Sequence, residues 1–306
     1  MTLLERLWNG AKLGTTIGIG PVAMSIRFSR AVKVSHQRSP WRHRLPRPAP
    51  KAISSDAPGA TDRGRPTQAR RSNEPRTALV VGTGPGLGSA LARRFAAAGL
   101  SVAVAARNTE KLGPLLAEIR AKGGVAAAFG CDATSDRSVK TLMKSVTSSF
   151  GIPDVVFYNV DHFVPGSITE IETPAFEECW RANCLGAFLT GREAARVMLS
   201  RGSGTIIFTG ATGAIRGGDG FINLAVGKFG TRALAQSMAR ELNPKGIHVA
   251  HVIIDGGMSA PSTAAAAERV ESLFPDDVAE TYFHLYSQHP SAWTHELDLR
   301  PWVEKF

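Results

Sequence analysis

Residues Thr77–Gly88 read TALVVGTGPGLG. The apolar run from Thr77 to Val81, closed by Gly82, has the signature of a buried strand. Behind the glycines, Leu87, Leu91, Phe95 and Ala98 recur at spacings of four, four and three, marking one face of a helix that Gly99 stops. A strand, a glycine loop and a helix in this order aim free backbone amides and a helix dipole at the loop. That arrangement suits a phosphate. The spacing is G-x-x-x-G-x-G, carried by Gly82, Gly86 and Gly88, with Thr83, Gly84 and Leu87 completing the loop. A lone glycine loop says little, but one set between a buried strand and an amphipathic helix says much more.

The same alternation continues downstream. Val102 to Ala106 reads as a strand, Thr109 to Lys122 as a helix ended by Gly123-Gly124, and Val125 to Phe129 as a strand. Ser135 to Phe150 reads as a helix and Asp154 to Tyr158 as a strand. Pro174 to Ser200 reads as one long helix, Thr205 to Thr209 as a strand, Asn223 to Leu242 as a second long helix and Ile247 to Ile254 as a strand. Asp276 to Ser287 and Glu296 to Leu299 close the series as helix and strand. The pattern predicts an α/β fold of Rossmann type. It is a doubly wound parallel sheet of about seven strands, forming a single domain over 77–306.

Upstream, the composition is different. Residues 1–76 hold 15 basic and 4 acidic side chains, a balance of +11 against +10 for the whole chain, so the remainder stands at −1. They also hold 8 of the 18 prolines, and no acidic residue lies between Arg6 and Ser55. Such a segment buries too little apolar surface to offset its ordering entropy, so a disordered basic leader is predicted. Its Arg- and Ser-rich, acid-poor character fits a transit peptide, which would direct the chain to a mitochondrion or plastid. It equally fits an over-long start to a cytoplasmic protein, and a flexible basic arm that touches anionic surfaces is a third reading. Because the charge belongs to the leader, the folded part gives no reason to expect nucleic acid as a partner. Cys131, Cys179 and Cys184 have no metal-ligand spacing and suit no disulfide framework, which points to a reducing compartment. The leader's longest apolar segment, broken by Gly18, Gly20 and Pro21, is too short to span a bilayer.

The second strand ends at Ala106-Arg107. A site for NAD usually has a carboxylate there for the ribose hydroxyls. Arg107 instead offers a bidentate cation for a 2′-phosphate, so NADP(H) is favoured over NAD(H). Asp132, just after the third strand, reads as an acceptor for the adenine amino group, as a helix cap before Ser135, or as both.

With these pieces in place, the chain from about Thr77 onward resembles the short-chain dehydrogenase/reductase family. Gly82, Gly86 and Gly88 match its glycine loop, and Asn159 falls where the family has Asn-Asn-Ala-Gly. Asn183 matches the helix asparagine of its catalytic tetrad, and Lys228 matches the lysine of Tyr-x-x-x-Lys. The resemblance implies hydride transfer between a nicotinamide and a small carbonyl or alcohol. It places Lys228 on the nicotinamide ribose and implies a homodimer or homotetramer joined through the two long helices.

The departures cluster in one place. Leu224 stands at the tyrosine position and Ala211 at the serine position. Asp255-Gly256 replaces Pro-Gly, and Asn159-Val160-Asp161 replaces Asn-Ala-Gly. Leucine cannot move a proton, and general acid/base catalysis contributes on the order of 10²–10⁴-fold, so the usual mechanism is expected to be weakened or altered. Thr212 and Thr209 are candidates to supply a hydroxyl. His162 beside Asp161 is a candidate proton carrier near neutral pH. Tyr158 reads as packing, and Trp180, Phe188 and Phe229 read as core or subunit contacts. The alternative to an enzyme is a pseudoenzyme that binds NADP(H) as a sensor or assembly partner.

Overall fold

The computed structural model describes residues 76–259 and 272–304. The leader expectation for residues 1–75 lies outside the described residues. Residues 260–271 lie outside them as well.

Seven parallel strands form one sheet in the order β3-β2-β1-β4-β5-β6-β7. They are β1 (Thr77–Val81), β2 (Ser101–Ala106), β3 (Ala126–Gly130), β4 (Val155–Tyr158), β5 (Gly204–Thr209), β6 (Ile247–Ile254) and β7 (Glu296–Leu299). The strand order reverses between β1 and β4, where Val81 pairs with Ala105 on one side and Tyr158 on the other. That reversal opens a crevice at the carboxyl ends of the strands, the usual ligand site of such sheets.

Helices cover both faces. On one side lie α1 (Leu87–Ala97), α2 (Gly113–Ala121) and α7 (Pro275–Ser287), around Leu91, Phe95, Phe157 and Tyr282. On the other lie α3 (Asp136–Phe150), α5 (Gly186–Arg201) and α6 (Ile222–Leu242), around Leu79, Val146, Met198 and Phe208. Phe95 of α1 meets Phe157, Phe283 and Tyr286 edge-on at 4.9, 5.4 and 5.5 Å between ring centroids. Arg94 stacks on Phe283 at 3.7 Å while its guanidinium holds Glu280. Helices α1 and α7 are therefore one packed unit.

Two predicted helices differ in detail. The helix expected over Thr109 to Lys122 begins as a 3₁₀ turn, Glu110–Leu112, and turns α-helical only at Gly113-Pro114. Proline at the second position has no N–H to lose there and is preset for helix. The long helix expected over Pro174 to Ser200 is α4 (Thr173–Trp180), a π turn (Arg181–Leu185) and then α5. Tertiary contacts hold the extra residue of that turn. Tyr158 Oη donates to the Ala182 carbonyl, and Thr231 Oγ1 donates to the Asn183 carbonyl at 2.5 Å. Trp180, Phe188 and Phe229 are 37%, 42% and 43% exposed, which excludes a core role for them in this chain. Among the described residues no helix is long and apolar enough to cross a membrane.

Candidate active site

The glycine loop leaves β1 at Gly82, where φ is +91°, a conformation that side chains resist. A Cβ on Gly82 would lie 2.7 Å from the Asn159–Val160 peptide, and one on Gly88 would lie 2.8 Å from the Gly82 carbonyl oxygen. Both glycines let backbone press on backbone. Gly84 and Gly86 differ, since nothing lies within 4 Å of a Cβ on either. The loop is thus packed below and open above. Gly82 and Thr83 donate their N–H groups to the Ala105 carbonyl at 3.0 Å, and Thr83 Oγ1 donates to the Val80 carbonyl at 3.0 Å. Asn159 accounts for the far wall, with its N–H on Val81 O at 2.8 Å and Nδ2 on Gly82 O at 3.1 Å. The N-terminus of α1 has no side-chain cap and no acidic residue in its first turn, so its dipole stays available to an anion, although the Ser89 N–H is shared between the Gly84 and Gly86 carbonyls at 3.1 Å. This open cradle fits a dinucleotide's pyrophosphate.

Arg107 follows β2 and is exposed. Asp132 follows β3, and its carboxylate accepts from the Thr134 N–H at 2.9 Å and from Thr134 Oγ1 at 2.7 Å. These bonds, more than the nearby Arg107 and Arg181 charges, hold its pKa below the ordinary range. The helix cap itself is Ser135, whose hydroxyl accepts from the Ser138 N–H at 3.3 Å. Asp132 therefore shapes the turn before the cap. Gly82 through Gly88, Arg107, Asp132 and Asn159 all lie at the carboxyl ends of four neighbouring strands, β3-β2-β1-β4.

Lys228 and Asn183 approach from the β5 side. Lys228 Nζ, 3% exposed, lies 3.1 Å from Asp161 Oδ1 and donates to the Thr209 carbonyl at 3.4 Å. Asn183 is buried in the π turn. Its Nδ2 donates to the His162 carbonyl at 2.8 Å and the Cys179 carbonyl at 3.0 Å, while Oδ1 has no protein partner. Asn183 thus fixes the backbone just past Asp161. Leu224, one turn before Lys228, is buried and brings no polar atom.

Three expectations are corrected. Thr212 was a candidate hydroxyl for substrate, but its Oγ1 donates to the Asp255 carboxylate, which Arg300 Nη2 also holds at 3.3 Å. Thr209 Oγ1 likewise pairs with Tyr282 Oη at 2.9 Å. His162 does not work with Asp161. Its Nε2 leans toward Glu178 at 3.8 Å, and the Asp161 carboxylate turns to Lys228 instead. Sequence reading missed that pairing, although an acidic residue at a family glycine position was a signal for it. It also missed Asp255, which stands in a proline position and ties the loop after β5 to the chain beyond β7. Tyr158 is a packing residue as expected, since burial pushes its hydroxyl well above the ordinary range and Ala182 takes its proton's bond.

Comparison with known proteins agrees with this geometry. The family model for short chain dehydrogenase matches residues 76–271. Sorbitol-6-phosphate 2-dehydrogenase of Escherichia coli (strain K12) is 30% identical over 211 residues, covering 67% of this chain and 82% of that protein. A short-chain dehydrogenase structure from Rhodopseudomonas palustris is 42% identical with a TM-score of 0.66, covering 74% of this chain and 99% of that one. A variant of actinorhodin polyketide ketoreductase, solved with NADPH, is 26% identical with a TM-score of 0.67, covering 74% of this chain and 95% of that one. The chain belongs to the short-chain dehydrogenase family, oxidoreductases that use NAD(P) on a Rossmann fold.

Proposed function

We propose that the chain is an NADP(H)-dependent oxidoreductase acting on a small carbonyl or alcohol, with proton chemistry altered from the family's usual form. The observation that carries the cofactor choice is Arg107 at the end of β2, beside an open glycine cradle, with Ala106 in place of a carboxylate. In this reading Gly82, Thr83, Gly84, Gly86, Leu87 and Gly88 hold the pyrophosphate by backbone amides, and Arg107 holds the 2′-phosphate. Asp132 and Asn159 frame the adenosine and the loop, and Lys228 reaches the nicotinamide ribose. When bound, the nicotinamide supplies or accepts the hydride. Asn183 positions the His162 backbone, and the pocket orients the substrate.

Leu224 favours a second reading, a nucleotide-binding protein without turnover. The engagement of Thr209 and Thr212 with other side chains supports it too. One experiment separates the two. The full chain is titrated with NADPH and NADH, then mixed with NADPH and a panel of aldehydes and ketones. NADPH is expected to bind more tightly than NADH. Arg107→Ala is expected to weaken NADPH roughly ten- to a hundredfold, the worth of hydrogen bonds to a charged group, and to leave NADH unchanged. Preference for NADH overturns the cofactor choice. Tight NADPH binding with no oxidation across the panel selects the second reading.

A further inference from the structure

Lys228 and Asp161 form an ion pair of unequal halves. The ammonium is 3% exposed, whereas the carboxylate side chain is 60% exposed. A buried ammonium needs a partner, and Asp161 supplies it. That alone would be a structural role, but three further features make the pair a ligand site. It stands at the carboxyl ends of β4 and β5, beside the crevice where the strand order reverses. Asp161 follows directly on the Asn159–Val160 peptide that walls the glycine loop. The neighbouring hydroxyls are committed elsewhere, Thr209 Oγ1 to Tyr282 and Thr212 Oγ1 to Asp255, and Asn183 spends its Nδ2 on two carbonyls while its Oδ1 has no protein partner.

We propose that Asp161 and Lys228 act as one clamp for the vicinal diol of the nicotinamide-side ribose. The carboxylate supplies the acceptor that the ammonium lacks. This rests on the NADP(H) reading above. A diol presents two O–H donors and two acceptor oxygens. An ammonium only donates and a carboxylate only accepts, so a lysine alone leaves the hydroxyl protons without acceptors. Side by side, the two complement a diol fully. The pair also sets the local charge. With Asp161 ionised, the ammonium is balanced. With Asp161 neutralised, an uncompensated cation faces the ring and works against the positively charged oxidised nicotinamide.

Calorimetric titration of the full-length protein tests this with three probes: NADPH, NADP⁺ and 2′,5′-ADP, which lacks the second ribose. Asp161→Asn keeps the side chain's shape and removes its charge. It is expected to weaken NADPH roughly tenfold, weaken NADP⁺ more than NADPH, and leave 2′,5′-ADP within about twofold. Asp161→Glu, which retains the carboxylate, is expected to bind NADPH more tightly than Asp161→Asn. Unchanged or tighter NADPH binding by Asp161→Asn overturns the clamp, the tighter case marking Asp161 as a plug on Lys228. Equal losses on NADPH and 2′,5′-ADP in both variants also overturn it, since the residue then acts on folding. Wild-type protein that binds 2′,5′-ADP but neither dinucleotide overturns the NADP(H) reading and the clamp with it. Wild-type protein that binds none of the three overturns the NADP(H) reading as well.

Discussion

At residue 224 the side chain and its surroundings disagree. Leu224 sits one helical turn before a buried lysine, on the face of α6 that closes the crevice, yet it has no proton to give. Leu224→Tyr puts a phenol oxygen beside Lys228 and Asp161. It is expected to raise NADPH-dependent carbonyl reduction by about 10²-fold, toward the lower bound of general acid catalysis. Stopped-assay NADPH oxidation checks this, and no gain in rate would mean that the rest of the pocket has also diverged. Lys228 was named through its match to the lysine of the family's Tyr-x-x-x-Lys spacing. Its bond to Asp161 was not legible, because those residues meet only when β4 and α6 close on β5. Thr212 misled for a related reason. A hydroxyl's availability depends on its neighbours, and Asp255 reaches it from another strand.

At the scale of elements, the interrupted helix α4–α5 decides where Asn183 stands. The π turn ends at Gly186, which packs against the hydroxyl of Tyr158 from β4 and lies near the Ala133 carbonyl. A Cβ at Gly186 would collide with that hydroxyl and sit 3.0 Å from Ala133 O. Neither neighbour can yield, since Tyr158 is buried and bonded to Ala182 and Ala133 is backbone. Gly186→Ala is therefore expected to destabilise by about 1–3 kcal/mol, the cost of an overpacked core. The urea midpoint at constant slope measures it. A variant as stable as wild type would show that the turn relaxes without cost. The existence of this helix was plain from its length and pattern. The interruption was not, because RANCL contains neither proline nor glycine and the cause lies in contacts with β4 and α6. The glycine loop was the most legible part of the site, since its geometry is local to one strand, one turn and one helix.

At the scale of the whole molecule, β6, β7 and α6 share a polar chain that runs from a buried histidine to a half-buried ion pair. Arg232 grips Glu296 at 2.6 and 2.8 Å, and Glu296 accepts from His251 Nδ1 at 3.0 Å. His251 is fully buried, and its Nε2 has no partner. Burial holds its pKa down to about 4, outweighing the bond to Glu296, with the Arg232 and Lys228 charges adding to the depression. The folded protein thus binds the histidine's proton later than the unfolded chain does, whose ordinary value is about 6.5. Stability from this group is complete above pH 6.5 and is lost as pH falls toward 4. The loss is on the order of 3 kcal/mol. Glu296, held low chiefly by Arg232, adds to it below the ordinary carboxylate range. Urea titrations at intervals from pH 7.5 to 4 check the slope, and His251→Asn is expected to flatten it between pH 6.5 and 4. An equal slope in that variant would place the acid sensitivity elsewhere.

The packing of α1 against α7 also bears on how the chain is made. Phe95 leaves the ribosome 188 residues ahead of Phe283 and 191 ahead of Tyr286, two of the rings that cover it. The sheet's final strand, which shields His251, emerges later still. The nascent chain must therefore carry an uncovered apolar face across that interval. The face is covered only when α7 closes on α1, a contact of large sequence separation.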